Sequence, residues 1–311
     1  MIIVDAHCDT ITTIMQTEEQ LCQNKGHIDL KRLKQYDSFV QFFAAFISPK
    51  HAKMGALCRA IDIIDRLYRE IEINKNDIML CRNYNDIMKA IQSNMVAAVL
   101  TIEGGDALEG SISALRMLYE LGVRAITLTW NHRNQIADGV ADASTGGGLT
   151  PFGKEVVSEM NRLGMLVDVS HLSEPGFWDV LNTTSVPIIA THSNAKIICD
   201  HRRNLTDEQL LALKKNGGVT GINLCPDFIY SDGKSTMKHV INHIEHIVAL
   251  TGEDMLGLGA DYDGIDETPQ GLEGVQCLKD LFNELLKLNY SEALVNKIAG
   301  ENFLRVIKAV L

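Results

Sequence analysis

The sequence predicts an α/β protein with the (β/α)8 architecture of a TIM-type barrel. Eight short apolar runs, too brief for helices, recur along the chain, and longer stretches with helical periodicity separate them. Most of these runs are apolar at both alternating positions, which is typical of parallel strands buried on both faces. Eight such units that close on themselves form a barrel, whereas an open doubly wound sheet is the alternative arrangement.

The elements follow one another in a regular order. The predicted strands are residues 2–5, 39–46, 96–102, 124–129, 165–169, 187–190, 218–223 and 256–260. Helical periodicity predicts helices over residues 56–72, 112–121, 154–163, 207–215, 236–250 and 272–288. Ser173 and Thr206 each precede acidic residues, as expected of a helix N-cap and its first turn.

The chain of 311 residues is predicted to form a single domain, 1–311. It contains no internal repeat, low-complexity tract or Pro/Ser-rich linker that marks a second domain. The stretch 139–153, rich in Gly, Ala, Ser and Thr, is predicted to be a long loop after the fourth strand. Long loops in compact domains often bind ligands or act as lids.

Charge and cysteine content narrow the classes of partner. With 29 Lys+Arg against 40 Asp+Glu, the net charge of −11 disfavours nucleic acid and anionic membrane surfaces. The N-terminal segment has no signal-peptide pattern, and no run approaches the ~20 apolar residues of a membrane helix. Seven scattered cysteines without a CxxC pair disfavour both a disulfide framework and a thiolate metal site. We therefore expect a soluble, cytoplasmic protein.

Five potential metal ligands lie at the carboxyl ends of predicted strands, where barrels carry their active sites. His7 and Asp9 follow the first strand, Glu103 the third, and His171 and His192 the fifth and sixth. Each histidine alone is as compatible with a buried, hydrogen-bonded side chain as with a ligand. Together the five residues predict two divalent cations, and the two oxygens of Glu103 can bridge them.

Other polar residues near strand ends are candidates for catalysis and substrate binding. Asp261, after the eighth strand, is placed to exchange a proton with a metal-bound water. Arg202 and Arg203, after the sixth strand, can bind a substrate carboxylate as a fork or form a solvated surface pair. His132, after the fourth strand, either donates a hydrogen bond to a carbonyl oxygen that gains charge or is a loop residue. At helical spacing, His239, His243 and His246 are predicted to be structural.

Several motifs resemble the renal, or membrane, dipeptidase family of zinc metallopeptidases. The resemblance runs from the segment VDAHCD at residues 4–9 to GADYDG at 259–264 and ENFLR at 301–305. Between them, Glu-Gly-Gly, Ser-His, Thr-His-Ser and Arg-Arg-Asn segments occur in the order of the family. Together these motifs are highly specific and cover nearly the whole chain.

The resemblance implies a (β/α)8 barrel with a dinuclear zinc centre that hydrolyses dipeptides, including those with a D-residue at the C-terminal position. It places His7 and Asp9 on one ion and His171 and His192 on the other, with Glu103 bridging. Arg203 resembles the arginine that holds the substrate's C-terminal carboxylate, and Asp261 resembles the proposed proton-transfer aspartate. A hydroxide that bridges the ions is the expected nucleophile.

One segment departs from the animal members of the family. There a histidine directly follows Leu-Thr, whereas here Trp130 follows Leu128-Thr129 and the histidine, His132, comes two residues later. His132 is therefore the candidate for the oxyanion role. The animal enzymes are exported and lipid-anchored, and this chain resembles a bacterial-type cytoplasmic member instead.

Two other functions are compatible with a barrel that binds metal. Another dinuclear amidohydrolase would act on a cyclic amide, a base or a lactone, but such sites commonly begin HxH and often use a modified lysine as bridge. A non-catalytic barrel would bind peptides without cutting them. Manganese and cobalt suit the same ligands as zinc, and the oligomeric state is open, with a homodimer among the alternatives.

Overall fold

Nine parallel strands form one sheet in the computed structural model, which describes residues 1–232 and 234–311. They are β1 (Ile3–Cys8), β2 (Phe39–Phe46), β3 (Ile78–Leu80), β4 (Val96–Glu103), β5 (Val123–Thr127), β6 (Leu166–Asp168), β7 (Ile189–Ala190), β8 (Val219–Ile222) and β9 (Leu256–Leu258). The strand order is β2-β1-β9-β8-β7-β6-β5-β4-β3, and a β2–β4 pairing closes the ring. The predicted (β/α)8 barrel is confirmed, and the open sheet is excluded.

The strand β3 lies outside the ring and was not predicted. It pairs only with Val96–Ala98, the first part of β4, before β5 begins to pair with β4 at Leu100. Three residues are too few to show an alternating or continuous apolar pattern. The predicted third to eighth strands therefore correspond to β4 to β9.

Helices connect the strands. They are α1 (Thr10–Thr17), α2 (Leu30–Leu33), α3 (Pro49–Ala52), α4 (Ala56–Ile73), α5 (Tyr84–Gln92), α6 (Ile112–Glu120), α7 (Pro151–Leu163), α8 (Glu174–Thr183), α9 (Asp207–Asn216), α10 (Pro226–Ile229), α11 (Met237–Thr251), α12 (Leu278–Lys287), α13 (Glu292–Asn296) and α14 (Asn302–Val310). Ser173 caps α8 and Thr206 caps α9 through their side chains, as predicted. The helix predicted at 272–288 begins only at Leu278, because a 3-10 turn over Val275–Cys277 precedes it.

Apolar side chains fill the amino end of the barrel. The strand face that ends in Glu103 carries Ala97 and Val99, which share a buried cluster with Phe303 of α14. Gly257 of β9 lies directly against this ring, since a Cβ atom there would be 2.4 Å from Phe303. The amino end is therefore closed, and polar chemistry is left to the carboxyl ends of the strands.

Helix composition also bears on membrane association. Across the described residues, none of the helices is both long enough and apolar enough to cross a bilayer.

Candidate metal centre

The five predicted ligands converge at the carboxyl end of the barrel. His7 lies in β1, which runs further than predicted, and Asp9 directly precedes α1. Glu103 is the last residue of β4, whereas His171 and His192 follow β6 and β7. All five side chains are buried. The barrel thus buries five metal-binding side chains together, which the packing of an apolar core does not require.

Glu103 lies between two sets of donor atoms. Its Oε2 is 3.4 Å from His7 Nε2, and its Oε1 is 3.0 Å from His171 Nε2 and 3.6 Å from His192 Nε2. Asp9 Oδ2 lies 3.3 Å from His7 Nε2. We call His7, Asp9 and Glu103 the carboxylate half, and Glu103, His171 and His192 the imidazole half. Within each half, the three donor atoms lie within 4.8 Å of one another.

Hydrogen bonds fix the tautomers of the imidazole half. His171 Nδ1 is 2.8 Å from the side-chain oxygen of Asn131. His192 Nδ1 is 2.7 Å from Thr191 Oγ1, whose hydroxyl donates to Asp168 at 2.5 Å. Because each partner accepts from Nδ1, both Nε2 atoms present lone pairs. These Nε2 atoms are 2.9 Å apart, a repulsive arrangement that a cation relieves.

The carboxylate half also has donors free for a cation. Among the described residues, His7 Nε2 and Asp9 Oδ1 are buried without a hydrogen-bond partner. A buried polar atom without a partner costs free energy, and binding to an ion removes that cost. The residues therefore fit the divalent cations that the sequence predicts.

Electrostatics distinguish the carboxylate half. Burial alone lowers the pKa of His7, but the adjacent Glu103 and Asp9 raise it well above its ordinary value. Burial, followed by the charge of Glu103, raises the pKa of Asp9 to about 6. Burial also opposes ionisation of Glu103, yet His7 and His171 hold the pKa of this carboxyl well below its usual range. Negative charge thus accumulates where a cation would lie.

The two imidazole rings of the imidazole half are neutral. Burial and the charge of Arg203 lower the pKa of His171 to about 4. Burial, with the charges of His7 and Arg203, lowers the pKa of His192 well below its ordinary value. Near neutral pH both rings are therefore unprotonated, which is the form that binds a metal.

Asp261 faces both halves from the end of β9. Its Oδ1 lies 3.8 Å from His7 Nε2, and its Oδ2 accepts a hydrogen bond of 2.9 Å from Asn223. Burial raises its pKa to about 7, and nearby carboxylates add to this increase while His7 opposes it. Gly264 is required beside it, because a Cβ atom there would lie 2.4 Å from Asp9 Oδ2 and 2.6 Å from Asp261 Oδ1.

Arg203 is buried beside the centre, with 4% of its surface exposed. Its guanidinium donates to the backbone oxygen of His192 at 3.2 Å and lies 5.4 Å from the centroid of the Phe228 ring. Among the described residues its Nε has no hydrogen-bond partner. The neighbouring Arg202 is exposed.

A cavity of about 300 Å³ opens onto the centre. Its lining includes Asp9, Glu103, His171 and Asp261.

The sequence model of the membrane dipeptidase family, peptidase family M19, matches residues 1–311.

The chain belongs to the membrane dipeptidase family.

Relatives and solved structures of this family are similar over most of the chain. An uncharacterized dipeptidase from Schizosaccharomyces pombe is 36% identical over 300 residues, covering 91% of this chain and 72% of the relative. The structure of the metallopeptidase dipeptidase AC has a TM-score of 0.93 at 28% identity, covering 100% of this chain and 98% of that one. A metallopeptidase from Rhodobacter sphaeroides, bound to a phosphinate mimic of L-Ala-D-Ala, has a TM-score of 0.91 at 28% identity, covering 100% and 99%.

His132 does not join the centre of this membrane dipeptidase family member. Its side chain is 65% exposed, with Nδ1 3.6 Å from Asp142 Oδ2. It lines a separate cavity and is absent from the lining of the cavity at the ligands. Trp130 and Asn131 line the cavity at the ligands. The chain turns after them, and this turn directs His132 to solvent. The structure therefore gives no support for the oxyanion and substrate-binding roles expected of His132.

Residues that hold the proposed ligands in place were not predicted. Asn131 and Thr191 contact the histidine rings, and Asp168 accepts hydrogen bonds from the backbone N–H groups of Ser170 and Thr191. Asp5 accepts from the backbone N–H of Ala260 at 2.8 Å, which ties β1 to the residues after β9. Asp5 and Asp168 are charged residues within apolar strand runs, and this anomaly is the signal that identifies them in the sequence.

Proposed function

We propose that the protein is a metal-dependent dipeptidase that hydrolyses the peptide bond of dipeptides, including those with a D-residue at the C-terminal position. The observation that carries the proposal is the pair of donor sets that share Glu103 at the mouth of the barrel. The cavity above them, about 300 Å³, lies at the lower end of the range for ligand pockets and suits a small substrate. Binding of an L-Ala-D-Ala mimic by the Rhodobacter sphaeroides relative supports the L,D specificity.

Two divalent cations, which we propose to be zinc, would be held by the carboxylate and imidazole halves. When bound, such cations polarise the substrate carbonyl and lower the pKa of water, so that a hydroxide nucleophile is available near neutral pH. Imidazole ligands favour zinc among the abundant divalent metals. His171 and His192 supply neutral donors oriented by Asn131 and Thr191.

Asp261 is the proposed proton-transfer group. Its Oδ1 faces the donor atoms, while the bond from Asn223 to Oδ2 holds the carboxyl in one orientation. A pKa raised to about 7 matches a group that first accepts a proton from the attacking water and then donates it to the leaving amine.

Arg203 is the proposed binding group for the C-terminal carboxylate of the substrate. Its guanidinium is buried next to the donor set, and a desolvated arginine fork binds a carboxylate through two parallel hydrogen bonds. Arg203 lines a separate cavity of about 110 Å³, which shares His171 with the cavity above the donor sets. A substrate whose carboxylate binds at Arg203 and whose peptide bond lies at the donor sets has little room beyond a second residue. This geometry supports dipeptides over longer peptides.

Metal restoration combined with a substrate panel tests the proposed function. Protein stripped with a chelator is loaded with zinc, manganese or cobalt, and turnover of L,L- and L,D-dipeptides is measured. We expect turnover that disappears with the chelator and returns with zinc, and that falls sharply for tripeptides. Bound metal without turnover of any dipeptide would instead indicate a barrel that binds peptides without cutting them. Turnover of cyclic amides or lactones alone would indicate another amidohydrolase.

The variant Arg203→Ala tests the carboxylate site. Loss of one partner of a buried charge pair costs about 2–5 kcal/mol, so kcat/KM for dipeptides should fall by a factor of roughly 30 to several thousand. Arg202→Ala is the matched control, since the adjacent arginine is exposed. Equal kcat/KM values for Arg203→Ala and the wild type contradict this assignment.

A further inference from the structure

The cavity at the metal ligands has a smaller neighbour. This second cavity, about 160 Å³, is lined in part by Ile47, Lys53, Asp106, His132 and Arg133. Among the described lining residues, Trp130 alone belongs to both cavities. It therefore forms the partition between the substrate space and the space behind it.

Trp130 is held firmly in this position. Its ring meets Phe46 edge-on, with the ring centroids 5.4 Å apart, and lies 6.0 Å from the ring of His171. The backbone around it is crowded, since a Cβ atom at Gly139 would lie 2.5 Å from the Trp130 carbonyl oxygen. The next residue, Asn131, accepts a backbone hydrogen bond of 2.8 Å from Ala141. Close packing of the backbone and the contact with Phe46 thus position this partition, which we call the wall.

The two sides of the wall differ in charge. The substrate side carries the carboxylates of Asp9, Glu103 and Asp261. The far side carries Lys53 and Arg133 together with a single acid, Asp106. Asp106 accepts a hydrogen bond from Asn134, and Arg133 pairs with Asp138. Of the described residues on the far side, the exposed Lys53 is therefore the cation that an acidic side chain could reach past the wall, and Asp106 is the carboxylate beside it.

We infer that Trp130 is a specificity-determining residue, which closes the substrate cavity towards Lys53 and keeps long acidic side chains out. This inference rests on the proposed dipeptidase function. A smaller residue at position 130 joins the two cavities and gives an acidic side chain of the substrate a cationic subsite. The lining, not the catalytic groups, then limits which dipeptides are cleaved.

The test compares kcat/KM of the zinc-loaded wild type and Trp130→Ala for Ala-Ala with values for dipeptides that carry Glu or Lys at either position. For Trp130→Ala, the ratio of at least one Glu dipeptide to Ala-Ala should rise about tenfold or more, the scale on which pocket size discriminates substrates. The Lys dipeptides should gain much less. Trp130→Phe, which keeps a ring, should shift the same ratio in the same direction by a smaller factor.

Substitution of Lys53 provides the control that distinguishes a new cationic subsite from a non-specific enlargement of the substrate cavity. Lys53→Ala alone should leave all wild-type ratios unchanged, because the wall screens this residue. In the background of Trp130→Ala, the same change should remove the gain for Glu. Metal content and thermal stability are measured in parallel, and Trp130→Phe serves if the alanine variant does not fold.

Three outcomes overturn the inference. The first is an equal loss of kcat/KM for every dipeptide in both Trp130 variants. The second is an equal gain in kcat/KM for Glu and Lys dipeptides. The third is a gain for Glu dipeptides that persists when Lys53 is replaced by alanine. A wild type that cleaves no dipeptide contradicts the proposed function itself. Wild-type turnover with unchanged ratios in the variants contradicts only the role of Trp130.

Discussion

The carboxylate half and the imidazole half share Glu103 but attract a cation by different means. In the carboxylate half, His7 Nε2 faces Asp9, Glu103 and Asp261 within 3.8 Å, so the surroundings carry excess negative charge. In the imidazole half, two neutral rings present lone pairs whose directions are set by hydrogen bonds from the opposite ring nitrogens. Negative charge is the main attraction for a cation in the carboxylate half, whereas oriented lone pairs are the main attraction in the imidazole half.

This difference has consequences for metal choice and for the effect of protons. Carboxylate-rich sites accept hard cations such as manganese, whereas imidazole-rich sites favour zinc. A charge-dominated half also binds protons strongly, since the same field attracts both. We therefore expect the two halves to respond differently when ligands, pH or supporting residues change.

The largest effect should follow from Glu103→Ala, because this residue serves both halves. Loss of both ions and of the charge that binds them should lower kcat/KM by about 10³-fold or more, the scale of a buried charge left without its partner. Metal analysis should find little of either ion after dialysis. A variant that retains both ions would show that Glu103 does not bridge.

A change of pH should release one ion before the other. The pKa of His7 is well above its ordinary value and that of Asp9 is about 6, whereas the pKa of His171 is about 4. Between pH 8 and pH 5, protons therefore compete with the ion of the carboxylate half and hardly with that of the imidazole half.

Variants that keep one half at a time resolve this pH effect. His171→Ala retains the carboxylate half, and its metal affinity should weaken about tenfold per pH unit, as expected for one displaced proton. His7→Ala retains the imidazole half, and its affinity should change little over the same range, because burial and the charge of Arg203 still lower the pKa of His171. Identical slopes in chelator-competition titrations would contradict the distinction between the halves.

A smaller effect is expected for Asn131→Ala. Its side chain orients His171, and loss of such a supporting hydrogen bond typically costs 10–100-fold, roughly, in metal affinity. The loss should be confined to one ion, as measured by competition with a chelator. Asn131→Asp keeps an acceptor for Nδ1 and should bind that ion at least as well as the wild type.

The smallest effect on the centre is expected from substitution of His243, a buried histidine that is not among the proposed ligands. Its Nδ1 accepts from the backbone of Ala195 at 3.2 Å, and its Nε2 bonds to the oxygen of Ile229 at 3.0 Å. Burial lowers its pKa from 6.5 to about 4. The neutral form therefore stabilises the fold above pH 6.5, and this contribution is lost as the pH falls towards 4.

The shift in the pKa of His243 bounds its pH-dependent contribution at about 3 kcal/mol. His243→Gln should reduce the loss of unfolding free energy between pH 7 and pH 5, as measured by denaturant titration. Metal content at pH 7 should equal that of the wild type. An unchanged pH dependence of stability in the variant would contradict this role.

The sequence predicts the barrel well because its strands are apolar on both faces and the proposed metal ligands stand at strand ends. It does not predict β3, which has three residues and lies outside the ring. Strand limits are also imprecise, since β1 continues to Cys8 and includes His7. Local patterns report burial more reliably than they report where pairing begins and ends.

Contacts between distant residues are the part of the site that local patterns do not reveal. Asn131 meets His171 across 40 positions, and no spacing in the sequence indicates such a pair. His132 shows the converse, because a suitable residue type at a strand end faces solvent when the backbone turns. Strand ends thus locate a site, and loop direction decides which of their residues enter it.

The proposed ligands of the centre are drawn from residues 7 to 192, at the ends of β1, β4, β6 and β7. Each bound ion would therefore cross-link the strands of its own half, β1 with β4 in the carboxylate half and β4 with β6 and β7 in the imidazole half. By mass action, a free ion at a thousand times its dissociation constant adds about 4 kcal/mol to the free energy of unfolding. The melting temperature is therefore a gauge of metal loading that needs neither substrate nor turnover.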